Sequence, residues 1–215
     1  MGSTLKAMCS WRLLLALCAL CADCLSPLAD RMKQTQTVTL GVVVTAPVKE
    51  YDHFLRQSAV LVIEHGDGAP SYGLNLESPT MMTIGEAAAG VVTGPLGENQ
   101  LFMGGQHGGR GAMMVHATPG VAGATRLGDT GLYIGGIKDA MARVDRGDAA
   151  CDDFKFFFNL CKFPPGQLDG DVADGRWTAY EDVPLAIMLR QNRFADKGDL
   201  WAEIRKAARD QAAAR

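Results

Sequence analysis

Two stretches decide the fold: TVTLGVVVTAPV at residues 37–48 and SAVLVIEH at residues 58–65. Both are β-branched and apolar with little alternation, the pattern of strands covered on both faces, and they predict two central strands. YGLNLES (72–78) alternates and is stopped by Pro79, while QLFMGG (100–105), GAMMVHA (111–117) and GLYIGG (131–136) are strand candidates bounded by glycine. In IKDAMARV, residues Ile137, Met141 and Val144 form the stripe of an amphipathic helix lying on the sheet. In DFKFFFN an extended chain puts Phe154, Phe156 and Phe158 on one face, read as core, and Lys155 and Phe157 on the other.

Pro164 and Pro165 stop that strand and can open a helix. WTAYE then reads as a short strand, and VPLAIMLR as a helix capped by Asp182. DLWAEIRKAARDQAAAR closes the chain as a helix capped by Asp199, with Leu200, Trp201, Ile204, Ala207 and Ala208 on one face. Strands and helices interleave without a βαβ rhythm. The expected fold is therefore α+β: a single domain with a mixed, strongly curved or partly closed β-sheet surrounded by helices.

A chain of 215 residues with 47% hydrophobic and 21% charged residues fits one globular domain, here residues 31–215 with a C-terminal helix. The net charge of −3 gives no strong nucleic-acid signature and no broad attraction to an anionic membrane.

Residues 1–30 differ in kind. Lys6 and Arg12 precede the apolar run LLLALCALCA, and a short polar stretch follows, the layout of a secretory signal. The run is about half the roughly 20 residues needed to span a bilayer, so no permanent membrane span is expected once this leader is removed. Onward transit to a plastid is a sub-reading, and a cytosolic protein that retains the segment is the alternative. Cys18, Cys21 and Cys24 share iron–sulfur-like spacing but lack a fourth ligand, and read as small hydrophobes. Cys151 and Cys161 bracket an extended run of roughly 30 Å at about 3.3 Å per residue, too far for a disulfide.

Several residues carry candidate chemistry. His65, between Glu64 and Asp67 at a strand end, could act as a base or ligand, or could shape its turn. His107 and His116 could meet across a hairpin and, with His65, make a three-nitrogen zinc site. GGQHGGRG (104–111) reads as a flexible hairpin loop, or as one that aims backbone N–H groups at an anion with Arg110 adding charge. It matches no nucleotide-binding glycine pattern. Cys161 beside Lys162 could be a reactive thiol or an inert, half-buried one. Gln167, between Gly166 and Leu168 at a helix start, suits recognition through its amide, or caps its own helix.

In order and spacing, residues 38–201 resemble the AlgH-like family of bacterial and plastid-bearing-eukaryote proteins. The resemblance rests on GVVVTAP, Phe54, SAVLVIEH and GDGA, and on Gly104, Gly105 and Gln106 at the family's glycine-glycine-proline. Val115 and His116, then Gly166, Gln167 and Leu168, and finally Trp177, Leu200 and Trp201 continue it. Glu77 and Ser78 stand where the family's asparagine and arginine belong, and Phe163 replaces a tryptophan. Where that arginine binds an anion, Ser78 cannot. The resemblance implies an α+β fold with a bifurcated or half-rolled sheet and brings no enzyme mechanism.

The expectation drawn from these readings is a non-catalytic binding or regulatory module, without cofactor or bound metal. It would recognise a small ligand or protein through His65, Gly104, Gly105, His107, Arg110, His116, Gly166 and Gln167. A metal-assisted or cysteine-dependent hydrolase is the alternative, and transcriptional regulation follows from the family label alone.

Overall fold

The computed structural model describes residues 32–192 and 194–213. The leader reading, residues 1–30, lies outside them.

The strands are β1 (Lys33–Thr35), β2 (Val43–Thr45), β3 (Ala59–Glu64), β4 (Ser71–Asn75), β5 (Pro79–Thr83), β6 (Gln100–Met103), β7 (His107–His116), β8 (Ala124–Leu127), β9 (Leu132–Gly135), β10 (Phe154–Phe163) and β11 (Thr178–Glu181). The helices are α1 (Ile84–Ala87), α2 (Ile137–Arg146), α3 (Gln167–Ala173), α4 (Leu185–Met188) and α5 (Asp199–Ala213). Among the described residues no helix is long and apolar enough to cross a membrane.

The main path of the sheet runs β1-β11-β2-β3-β4-β10-β7-β9-β8, with β6 on β10 and β5 on β6. Its pairings are antiparallel except β6 on β10. The expected strongly curved or partly closed sheet ringed by helices is thereby corrected. The sheet is open, ends at β1 and β8, carries few helices, and forks instead of rolling. The fork is at β10, whose Phe156–Phe158 pairs with β6 while Cys161–Phe163 pairs with β4. Splitting one edge between two strands buries both halves of β10 without closure.

The two fold-deciding stretches do form internal strands, β2 and β3, shorter than their apolar runs. Their side chains alternate between two cores. Val43 and Leu61 enter the core under α4 and α5, while Val44, Val60 and Val62 enter the one under α3. The third core lies under α1 and α2 and takes Phe154 and Phe156. β10 reaches all three, because a bulge at Asn159, with φ +61°, keeps Leu160 on the side of Phe157 before Cys161 and Phe163 turn to the α3 core. Phe154, Phe156 and Phe157 are fully buried, each contributing roughly 1.5–3 kcal/mol.

Smaller departures have local causes. Pro79 does not merely end a strand: it starts edge strand β5, where a missing N–H is tolerated. Asp182 is no helix cap; it takes φ +56° and α4 starts after Pro184.

Candidate functional site

β6 and β7 pair with the same residues of β10, Phe156–Phe158, and so lie on its opposite edges. Gly104, Gly105 and Gln106, which join them, must cross its face. A Cβ on Gly105 would sit 1.7 Å from the Leu160 carbonyl carbon, and one on Gly104 would sit 2.5 Å from the Asn159 oxygen. The glycines are there for this close approach. Gly104 is held on every side: its N–H donates to Phe158 O at 2.8 Å, and its carbonyl accepts from Asn75 N–H at 2.8 Å and from Cys161 Sγ at 3.2 Å. The glycine-rich hairpin loop expected over residues 104–111 is corrected accordingly. Three residues cross β10, and His107 already belongs to β7.

Beside the crossover lies a cleft of about 310 Å3 lined by Asp52, Phe54, Leu55, Gln106, His107, Leu160, Cys161 and Lys162. Asp52 Oδ1 accepts from the N–H groups of Phe54 (2.7 Å) and Leu55 (3.3 Å), which folds its wall into a tight turn. The C-terminal region holds that wall: Lys197 Nζ donates to His53 O, and Trp201 Nε1 donates to Ala46 O at 2.8 Å. Gln106, His107 and Lys162 are exposed on the other side. His107 lies beside the Tyr72 ring, centroids 6.2 Å apart. The side chains of Gln106 and Lys162 make no hydrogen bond or ion pair with a described residue.

Two hollows are larger, at about 500 and 550 Å3, but their polar groups are more fully committed. In the first, Asp182 pairs with Lys33 at 3.1 Å and Asp129 with Arg126 at 3.3 Å. In the second, Arg190 is bound to Glu77 (3.5 Å) and Glu203 (2.8 Å), and Gln191 donates to Phe154 O at 2.9 Å. The smaller cleft is the better recognition site because its Gln106 and Lys162 side chains are uncommitted among the described residues.

The three histidines do not converge. His107 and His116 pair with Leu160 and Phe154 at opposite ends of β7, which sets them roughly 20 Å apart along β10 at about 3.3 Å per residue. That distance excludes a shared zinc ion and corrects the expected hairpin contact. Among the described residues there is no group of three or more His, Cys, Asp or Glu side chains that could hold a metal ion. His116 is fully buried, stacked on Tyr133 with centroids 5.6 Å apart, and burial pushes its pKa down.

His65 Nε2 lies 3.3 Å from Asp169, and its Nδ1 lies 2.9 Å from the Ser71 hydroxyl. The order is that of a serine–histidine–aspartate relay, yet Ser71 is 1% exposed and lines none of the three clefts. These contacts tie α3 to β4 instead. Gly166 (φ +70°) precedes α3, and Gln167, its first residue, is exposed, its side-chain amide making no hydrogen bond among the described residues. The side chain of Arg110 lies outside the described residues.

Cys161 is no activated thiol. Burial pushes its pKa up to about 12, which removes the thiolate a cysteine hydrolase needs. Cys151 is also pushed up, by burial and then by Asp152.

Sequence reasoning missed Lys155, which is 1% exposed at the start of β10. Its Nζ donates to Leu76 O (2.7 Å), Met188 O (3.3 Å) and Arg190 O (2.7 Å), and sits 4.3 Å from the centre of the Phe102 ring. Burial lowers its pKa to about 7, with Glu77 pulling up and Arg190 pulling down. Glu77 is itself buried and accepts from Leu200 N–H at the start of α5. Desolvation raises its pKa, with the Leu200 bond and Arg190 opposing. A lysine alternating with phenylalanines, Phe154-Lys155-Phe156, was the available signal.

An open, forked, mostly antiparallel sheet with small helices on its faces and a glycine crossover at the fork defines the class of this chain. Two solved structures share that fold. A Corynebacterium diphtheriae protein aligns with TM-score 0.59 and 20% identity over 78% of this chain and 86% of that one. The AlgH protein of Pseudomonas aeruginosa aligns with TM-score 0.56 and 19% identity over 85% of this chain and 92% of that one. At such identities the likeness is one of fold. The AlgH-like family model matches residues 37–212, and the chain belongs to that family. None of the curated proteins compared with it matches.

Proposed function

We propose that this protein is a non-catalytic binding module that takes a small molecule in the cleft at the fork of its sheet. One observation carries the reading: an apolar floor bordered by the side chains of Gln106 and Lys162, which make no hydrogen bond or ion pair among the described residues. Gln106, His107 and Lys162 supply the recognition groups, and Gly104 and Gly105 position them by allowing the crossover. Turnover is disfavoured because the nucleophile nearest the cleft, Cys161, is protonated and already bonded to Gly104 O. His65, Gly166 and Gln167 form a separate surface around the start of α3, which suits a protein partner. Residues 1–30 retain the reading of a targeting leader, which an intact mass from the native source would test.

The cleft itself is tested by two-dimensional amide spectra recorded with a mixture of small polar fragments. Binding at the cleft moves the signals of residues 52–55, 106–107 and 160–162 together. Shifts confined to other surfaces, or no shifts, contradict the proposal.

A further inference from the structure

The chemistry of the occupant follows from the two charges that line this cleft, on the reading that the cleft is a binding site. Asp52 and Lys162 have opposite signs, yet they make no ion pair with each other. Phe54, Leu55 and Leu160 share the cavity with them. Among the described residues, only Oδ1 of Asp52 is bonded, to the two N–H groups of its own turn. Oδ2 is uncommitted, and the carboxylate's field reaches the cavity floor, where it is one of the influences raising the Cys161 thiol.

A purely anionic guest would face the Asp52 carboxylate, and a purely cationic one would face Lys162. A neutral apolar guest would strip water from both charges and return nothing, which is costly. A molecule with both charges on a short apolar spacer meets every group present. We infer that the cleft accepts a small zwitterion, its carboxylate on Lys162 with the Gln106 amide and the His107 ring as neighbouring donors. Its ammonium faces Asp52 Oδ2, and its spacer lies against Leu55 and Leu160.

The test uses glycine, β-alanine, γ-aminobutyrate and ε-aminocaproate as probes, followed by amide shifts and calorimetry on the full chain. Butyrate and n-butylamine serve as single-charge controls. One spacer length binds at least about tenfold more tightly than either control, a difference of about 1.4 kcal/mol. Asp52→Asn retains the oxygen that accepts the Phe54 and Leu55 N–H groups, and Lys162→Gln leaves the fold untouched; each abolishes the zwitterion's advantage. If butyrate or n-butylamine binds in the cleft as tightly as every zwitterion, the inference is overturned while the binding module stands. If fragments bind there but no amino acid of the series does, the same holds. If nothing binds there, both fall.

Discussion

Lys155 offers the sharpest test of the energetics. Its pKa in the folded protein, about 7, lies below the ordinary 10.5. Between those values the unfolded chain holds a proton that the folded chain does not, so stability rises with pH across that window. The cost of burying the charge is present in full below about pH 7, where it amounts to about 5 kcal/mol, and is relieved as pH climbs toward 10.5. Weighting by the fraction protonated in each state gives a gain of about 2 kcal/mol between about pH 7 and about pH 9. Urea unfolding of the wild type and of Lys155→Met across that range isolates this contribution, since the other titrating groups are common to both. The wild type should gain about 2 kcal/mol relative to the variant. A constant difference would refute the reasoning, because it would mean that the three carbonyls and the Phe102 ring offset burial and hold the ammonium charged throughout. Should the variant fail to fold, the Lys155 side-chain nitrogen shift followed against pH in the wild type gives the same answer.

The crossover makes a paired prediction for glycine. Gly105→Ala, whose new methyl has nowhere to go against Leu160, should cost at least the roughly 3 kcal/mol at the upper end of overpacking effects, measured by chemical unfolding. Gly166→Ala meets no atom within 4 Å but sits at φ +70°, and should cost only about 1–2 kcal/mol. The imidazole of His116, buried and pushed down in pKa, should remain neutral at pH values where a free imidazole is half charged; a ring-nitrogen titration at the ordinary imidazole value would contradict its assigned burial. Cys161 should resist a thiol reagent in the folded protein and react on unfolding, so rapid labelling of the native chain at that residue would be incompatible with its bond to Gly104.

Local pattern made the strands and the two longer helices legible. The β-branched runs at residues 37–48 and 58–65 became internal strands with two covered faces, and α2 and α5 present the stripes read from their spacing. Non-local geometry was not legible. GGQHGGRG looks like a hairpin loop because glycines mark turns; its actual role depends on β10, some fifty residues later in the chain. Whether the sheet closes depends on whether edge strands β1 and β8 meet, and neither sequence hints at a partner. Lys155 fell, with Phe157, on the strand face opposite the one read as core. The carbonyls that bury it come from Leu76, Met188 and Arg190, and no window of sequence brings those together. For the site, His107 was visible as a candidate and Lys162 as a neighbour of Cys161. Asp52, which supplies the facing wall, gave no signal beyond an ordinary turn residue.

The central claim is that the cleft at the fork of the sheet is where this protein holds a small molecule. A crystal structure of the full chain grown with the tightest-binding fragment tests it most directly. The account predicts the fragment seated between Asp52 and Lys162, in contact with Gln106 or His107. Density instead in the hollow beside Glu181 and Asp182, or in the one beside Arg190, would contradict it.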